Sequence, residues 1–167
     1  MSLRHSLLLA AAAALLSAPA SLADNRYEVR DVPYVEPPAP GPEETLIYVL
    51  REKSDLAGYR KLAIIDNDTV VAVLQAGRFS AFVVPSGQHE IVAYLAPSPM
   101  LHYRVVPSPG QTVYLLCKIG YTSGMFMKVL DEDAAKALIA TLKYAEIGKK
   151  GEKAKMDYKA YYDNLYR

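Results

Sequence analysis

Between Thr45 and Leu130 the chain alternates short β-branched and aromatic runs with clusters of Asp, Asn, Pro, Ser and Gly. Apolar runs bounded in this way predict strands. They fall at 45–51, 61–65, 70–74, 101–106, 112–119 and 125–130, with 79–95 read as a central hairpin around Pro85-Ser86-Gly87. Proline and glycine at a corner suit a chain reversal, and Asp66-Asn67-Asp68-Thr69 suits another because Asx side chains bond local backbone groups. Side chains alternate across a strand. In the run after Gly110, Val113, Leu115, Cys117 and Ile119 therefore share one face, and Thr112, Tyr114 and Lys118 share the other. Reversals at this spacing predict a mainly β fold, a single antiparallel immunoglobulin-like sandwich over 45–130.

After Leu130 the period changes. Asp131-Glu132-Asp133 precedes Ala134, Ala135, Leu138, Ile139 and Leu142 at steps of three and four, which predicts a helix over 131–147 packed on the sheet and ended by Gly148. The tail, 149–167, carries Tyr158, Tyr161, Tyr162, Leu165 and Tyr166. As a helix it would place all five on one stripe. Such a stripe suits either a docking surface for a partner protein or a second helix folded back over its own domain.

The first residues pair Arg4 and His5 with an apolar run from Leu7 to Leu16 and the small-residue sites Ala18-Pro19-Ala20 and Ser21-Leu22-Ala23. This is the pattern of a secretory signal peptide over 1–23, cleaved near Ala23, and it predicts a periplasmic or secreted protein. The apolar run is too short for a membrane span of about 20 residues, so no transmembrane segment is expected in the mature chain. Residues 24–44 show no apolar period, and Pro33, Pro37, Pro38, Pro40 and Pro42 predict an extended linker.

Charge narrows the partners. Of 19 basic and 18 acidic residues, cleavage removes only Arg4, which leaves the mature chain neutral. No segment concentrates enough cation for nucleic acid. The single cysteine, Cys117, cannot form an internal disulfide. Its inward parity predicts a buried, inert thiol.

Candidate chemistry is sparse, and no catalytic residue, metal site or cofactor is expected. His89 shares parity with Ile91, Ala93 and Leu95, so its ring is placed to bond turn carbonyls and lock a corner formed with Pro85 and Gly87. Glu90 points the other way, and neither His89 nor His102 has a second ligand at metal spacing. Asp66-Asn67-Asp68 starts like a calcium loop but meets Val70 and Val71 where ligands belong. Ser86 lacks the Gly-x-Ser-x-Gly elbow of a hydrolase.

The apolar strand ending in Arg51, the Asp66-Asn67 turn, Gly77-Arg78-Phe79, Val84-Pro85-Ser86-Gly87-Gln88-His89 and Thr112-Val113-Tyr114 resemble the bacterial family catalogued as domain of unknown function 2846. The Pro-x-Gly-x-His corner is also similar to that of PEGA-type modules. The resemblance covers about residues 45 to 145 and implies a small exported β-sandwich, often on envelope lipoproteins, with no established reaction. This chain lacks their lipid-attachment cysteine, and its tail lies outside the matched region. The expectation is a non-catalytic structural or protein-interaction module of the cell envelope, its tail contacting a partner. Two rivals stand beside it: a small-ligand carrier or hydrolase with a pocket lined by Tyr59, Tyr94 and Tyr103, and a binder of cell-wall polymer.

Overall fold

Strand β2 (Glu44–Arg51) is buried from Thr45 onward because it lies inside a sheet covered on both faces. The computed structural model describes residues 28–53, 58–67, 69–95, 101–120 and 124–148. Its other strands are β1 (Val29–Asp31), β3 (Leu62–Asp66), β4 (Thr69–Leu74), β5 (Arg78–Pro85), β6 (His89–Tyr94), β7 (Leu101–Val105), β8 (Thr112–Gly120), β9 (Gly124–Leu130) and β10 (Lys143–Ile147). One short helix, α1 (Glu132–Ile139), stands between β9 and β10. One sheet has the order β1-β10-β5-β2-β8-β9 and the other β4-β3-β6-β7. The fold is a mainly β, two-sheet sandwich with a helix after the main strands.

Alternation along each strand explains the layers. Ile47, Val49, Leu62, Ile64, Ile91 and Leu115 meet between the sheets, with Cys117 and Met127 among them. The opposite parity of β2 and β8 sends Leu46, Tyr48, Leu50, Tyr114 and Leu116 to the outer face of the larger sheet, where Ala135, Leu138 and Ile139 of α1 cover them. Asp131 caps that helix by accepting from the Ala134 N–H at 2.8 Å.

Several sequence expectations change. Residues 79–95 do not form a hairpin: β5 pairs with β2 and β10, and β6 pairs with β3 and β7, so the corner crosses from one sheet to the other. The β7-to-β8 connection crosses back in the same way. Because the chain returns to the larger sheet after visiting the smaller one, β8 lies parallel to β2, and β10 lies parallel to β5. The sandwich is thus mixed, not wholly antiparallel. Turn chemistry identifies a reversal, whereas the ladder is chosen by which apolar faces must meet.

The predicted helix over 131–147 stops at Ile139. Lys143 donates its N–H to Gly77 at 3.0 Å, and Lys143 and Tyr144 pair with Arg78 and Phe79. An available sheet edge and an aromatic slot for Tyr144 against Phe79 outweigh two more helical turns.

The arm over 24–44 is no free linker where it is described. Val29, Arg30 and Asp31 pair antiparallel with Ile147, Glu146 and Ala145, and the Val32 N–H donates to Tyr144 at 3.1 Å. Tyr34 then packs edge-on against Phe79, with ring centroids 5.0 Å apart. Asp31 accepts from Arg78 Nε at 2.6 Å and lies 3.5 Å from Lys143 Nζ.

The hydrogen bond from Arg78 holds the Asp31 carboxyl below its usual range, with burial opposing and Lys143 adding to the effect. A depressed carboxyl contributes stability above its unfolded value of about 3.9 and loses it as pH falls through the lower folded value. Hydrogen-exchange protection of β1, corrected for intrinsic rates, should fall below about pH 4 while that of β2 persists. Asp31→Asn should lose this pH dependence, and an identical acid response in the variant would contradict the clasp.

Candidate functional site

Crossing between sheets leaves backbone carbonyls at the ends of the sandwich, and buried polar side chains meet them there. At one end lies His89, the first residue of β6, only 7% exposed. Its Nδ1 lies 2.9 and 3.1 Å from the carboxylate oxygens of Asp66, and its Nε2 lies 2.7 Å from the carbonyl oxygen of Pro85. Asp66 reaches the ring because Leu62, Ile64 and Asp66 share inward parity on β3, as His89, Ile91 and Ala93 do on β6. The neighbouring turn is held by the Asn67 N–H donating to Glu90 at 3.0 Å. Gly87, at φ 145°, turns the corner in a conformation that side-chain-bearing residues rarely adopt.

This arrangement spends both ring nitrogens. A carbonyl oxygen can only accept, so Nε2 carries a proton and donates it to Pro85. Nδ1 faces the Asp66 carboxylate on the other side of the ring, so both nitrogens are engaged inside the fold, whereas a general base needs one within reach of the substrate. Ser86 gains nothing from its neighbour: its buried Oγ has no hydrogen-bond partner among the described residues.

Arg51 stands at the other end. It ends β2 on the inward parity of Ile47 and Val49 and is fully buried. Its Nη1 donates to the carbonyls of Arg60 at 2.6 Å and Leu74 at 3.0 Å. Leu74 closes β4, so this guanidinium ties the larger sheet to the smaller. The carbonyl of Pro85 and the ring of His89 do the same from the opposite end.

The other sequence candidates disperse. Cys117 is a wholly buried thiol between the sheets. His102 forms a half-exposed pair with Glu90, Nδ1 to Oε1 at 3.0 Å. Tyr94 is buried on the outer face of the smaller sheet, Tyr103 packs toward the interior, and Tyr59 is 82% exposed, so the three do not line one pocket. Asn67, at φ 50°, belongs to an ordinary turn, and Asp68 lies outside the described residues. Among the described residues no group of three His, Cys, Asp or Glu side chains could hold a metal ion. Tyr158, Tyr161, Tyr162, Leu165 and Tyr166 also lie outside the described residues.

Two surface features were not evident in the sequence. The first is an aromatic cluster in which the Tyr34 and Tyr48 hydroxyls lie 2.9 Å apart and Tyr48 stacks on Tyr114 at 5.0 Å. Burial raises the Tyr48 phenol pKa, helped by the Tyr34 hydrogen bond, and burial likewise raises those of Tyr114 and Tyr144. These rings stay neutral and fasten the arm. The second is a groove of about 240 Å³ where the outermost strands β7 and β9 approach each other. Tyr103, Val106, Pro107, Val113 and Val129 line it. Val129 pairs with inward-facing Leu115 yet is 53% exposed, and Val106 is 68% exposed.

No protein-family model, curated protein or solved structure matches the chain. Among the described residues no helix is long and apolar enough to cross a membrane.

Removing one partner from a buried pair strands the other at a cost of about 3–5 kcal/mol. Urea denaturation should therefore show His89→Ala and Asp66→Ala each destabilised on that scale, with the double variant losing much less than the sum. Additive losses would show that the two side chains do not act as one tie.

Proposed function

We propose that this chain is a non-catalytic, exported β-sandwich that serves as a structural or protein-interaction module of the cell envelope. The observation that carries the reading is the commitment of His89: the one well-buried imidazole described sits against a carboxylate and a carbonyl, and it does not line the groove between β7 and β9. The apolar side chains between the sheets fill the space in which a ligand carrier of this size would hold its cargo. The charged start, apolar centre and small-residue end of 1–23 support export. The Pro-Ser-Gly corner supports kinship with envelope sandwiches of the PEGA type.

Contact is favoured on the β7–β9 side. There, among the described residues, the two sheets end in β7 and β9, and an outermost strand is where an extended segment of another chain can add. Exposed Val106 and Val129 add apolar area beside it.

Two measurements test the reading. In a bacterial host, osmotic-shock fractionation should release the chain from the periplasm with Asp24 at its N-terminus, and an unprocessed cytoplasmic chain would contradict export. A photo-crosslinking residue at Val129 should yield a discrete adduct with an envelope protein in intact cells, whereas one at Glu36 should not. No adduct at Val129 would remove this side from the proposal.

A further inference from the structure

Half of one edge of β5 is left open. Leu46 donates its N–H to the Gln111 carbonyl just ahead of β8 at 3.1 Å, so it is the alternate residues of β2, Thr45, Ile47 and Val49, that bond across to Val84, Phe82 and Ser80 of β5. Ala81 and Val83, which stand between those, therefore aim both N–H and C=O away from β2. Phe79 aims the same way and meets β10, but that pairing ends at Phe79. Beyond it β10 turns to β1, and Ile147 packs on the outer face of the smaller sheet. Among the described residues no backbone group bonds to Ala81 or Val83 on that side. Val83 is 46% exposed.

A cleft of about 390 Å³ opens beside this edge, with Val71 of β4, Ala81 of β5, and Tyr144 and Glu146 of β10 in its walls. On its inner side Val71 and Phe82 pack against the inter-sheet core yet are only partly buried. The layer between the sheets is thus less completely closed between β4 and β5, on the side of the sandwich away from β7 and β9. Glu146 is the one charged side chain lining the cleft among the described residues. Arg30, opposite Glu146 on β1, is paired with Glu28 instead.

We propose that this slot takes an extended segment of another polypeptide, which adds to β5 along Ala81 and Val83. Three features define the chemistry of that segment. The free N–H and C=O groups recur at every second residue, which is the spacing of another extended backbone. A strand lying there sends alternate side chains inward over Phe82 and Val71, so those positions are apolar. A Lys or Arg stands near Glu146, whose carboxylate would otherwise face the segment without a counter-charge. The inference goes beyond the contact proposed on the β7–β9 side: it uses a different edge and holds or fails independently of Val129.

Amide NMR of the full chain, titrated with short peptides, tests it. In the free chain the Ala81 and Val83 amides should exchange with water much faster than those of Ser80 and Phe82. A peptide of alternating valine and lysine should shift and protect those two amides saturably, and one of alternating valine and glutamate should bind about fivefold more weakly. Val83→Pro deletes one outward N–H without touching the bonds to β2, and should weaken the lysine peptide about tenfold at an unchanged melting temperature. Protected amides in the free chain, no binding of the lysine peptide, or binding indifferent to the proline would overturn the assignment. So would a concentration-dependent dimer that the proline abolishes, which would give the edge to a second copy. Should the proline disturb folding, Glu146→Lys leaves β5 intact and should reverse the preference between the two peptides. An unchanged preference would equally overturn it.

Discussion

Two buried polar ties, one at each end of the sandwich, set the terms for the rest of the molecule. Arg51 reaches from the larger sheet to the Leu74 carbonyl of the smaller, and His89 reaches back from the smaller to the Pro85 carbonyl of the larger. Apolar packing is non-directional and would tolerate sliding or rotation of one sheet over the other. A hydrogen bond from a charged or ring donor in a dry interior is directional, and leaving it unmade is costly. The ties therefore choose one arrangement among the many that would bury the same aliphatic side chains. They also engage Arg51 Nη1 and both ring nitrogens of His89 inside the fold.

Burial on both faces of both sheets follows from how the strands are shared out. In β2 and β8 the two parities fill different layers, one between the sheets and one under α1. In β3 and β6 they fill the inter-sheet layer and the outer patch. The larger sheet buys its cover from a helix and an N-terminal arm. Tyr34 is the hinge of that cover, touching Phe79, Tyr48 and Tyr144 at once.

Much of this was legible in the residues. Strand positions follow from turn residues, and the inward set of β8, Val113, Leu115 and Cys117, follows from alternation. Strand pairing was not legible, because the Pro85-Ser86-Gly87 corner looks the same whether its arms pair with each other or with different sheets. Residues 143–147 continue a helical period through Leu142, and only the tertiary slot beside β5 makes them a strand. Asp66 reads as a turn residue from its Asn and Asp neighbours. Its role as the partner of His89 could have been found from parity alone, two places beyond Ile64. Arg51 carried the same signal, a charge on the inward side of an apolar strand. The aromatic cluster required knowing that the arm returns to the sheet, which no local pattern encodes.

The central claim is that the His89 imidazole is spent on holding the sheets together. Nitrogen-detected NMR of the histidine side chains in the folded chain at neutral pH reads this directly. The account predicts a proton on His89 Nε2 that exchanges slowly with water and shows a hydrogen-bond coupling to the Pro85 carbonyl. A bare Nε2, or one whose proton exchanges as fast as that of an exposed imidazole, would leave the ring available for chemistry and contradict the account.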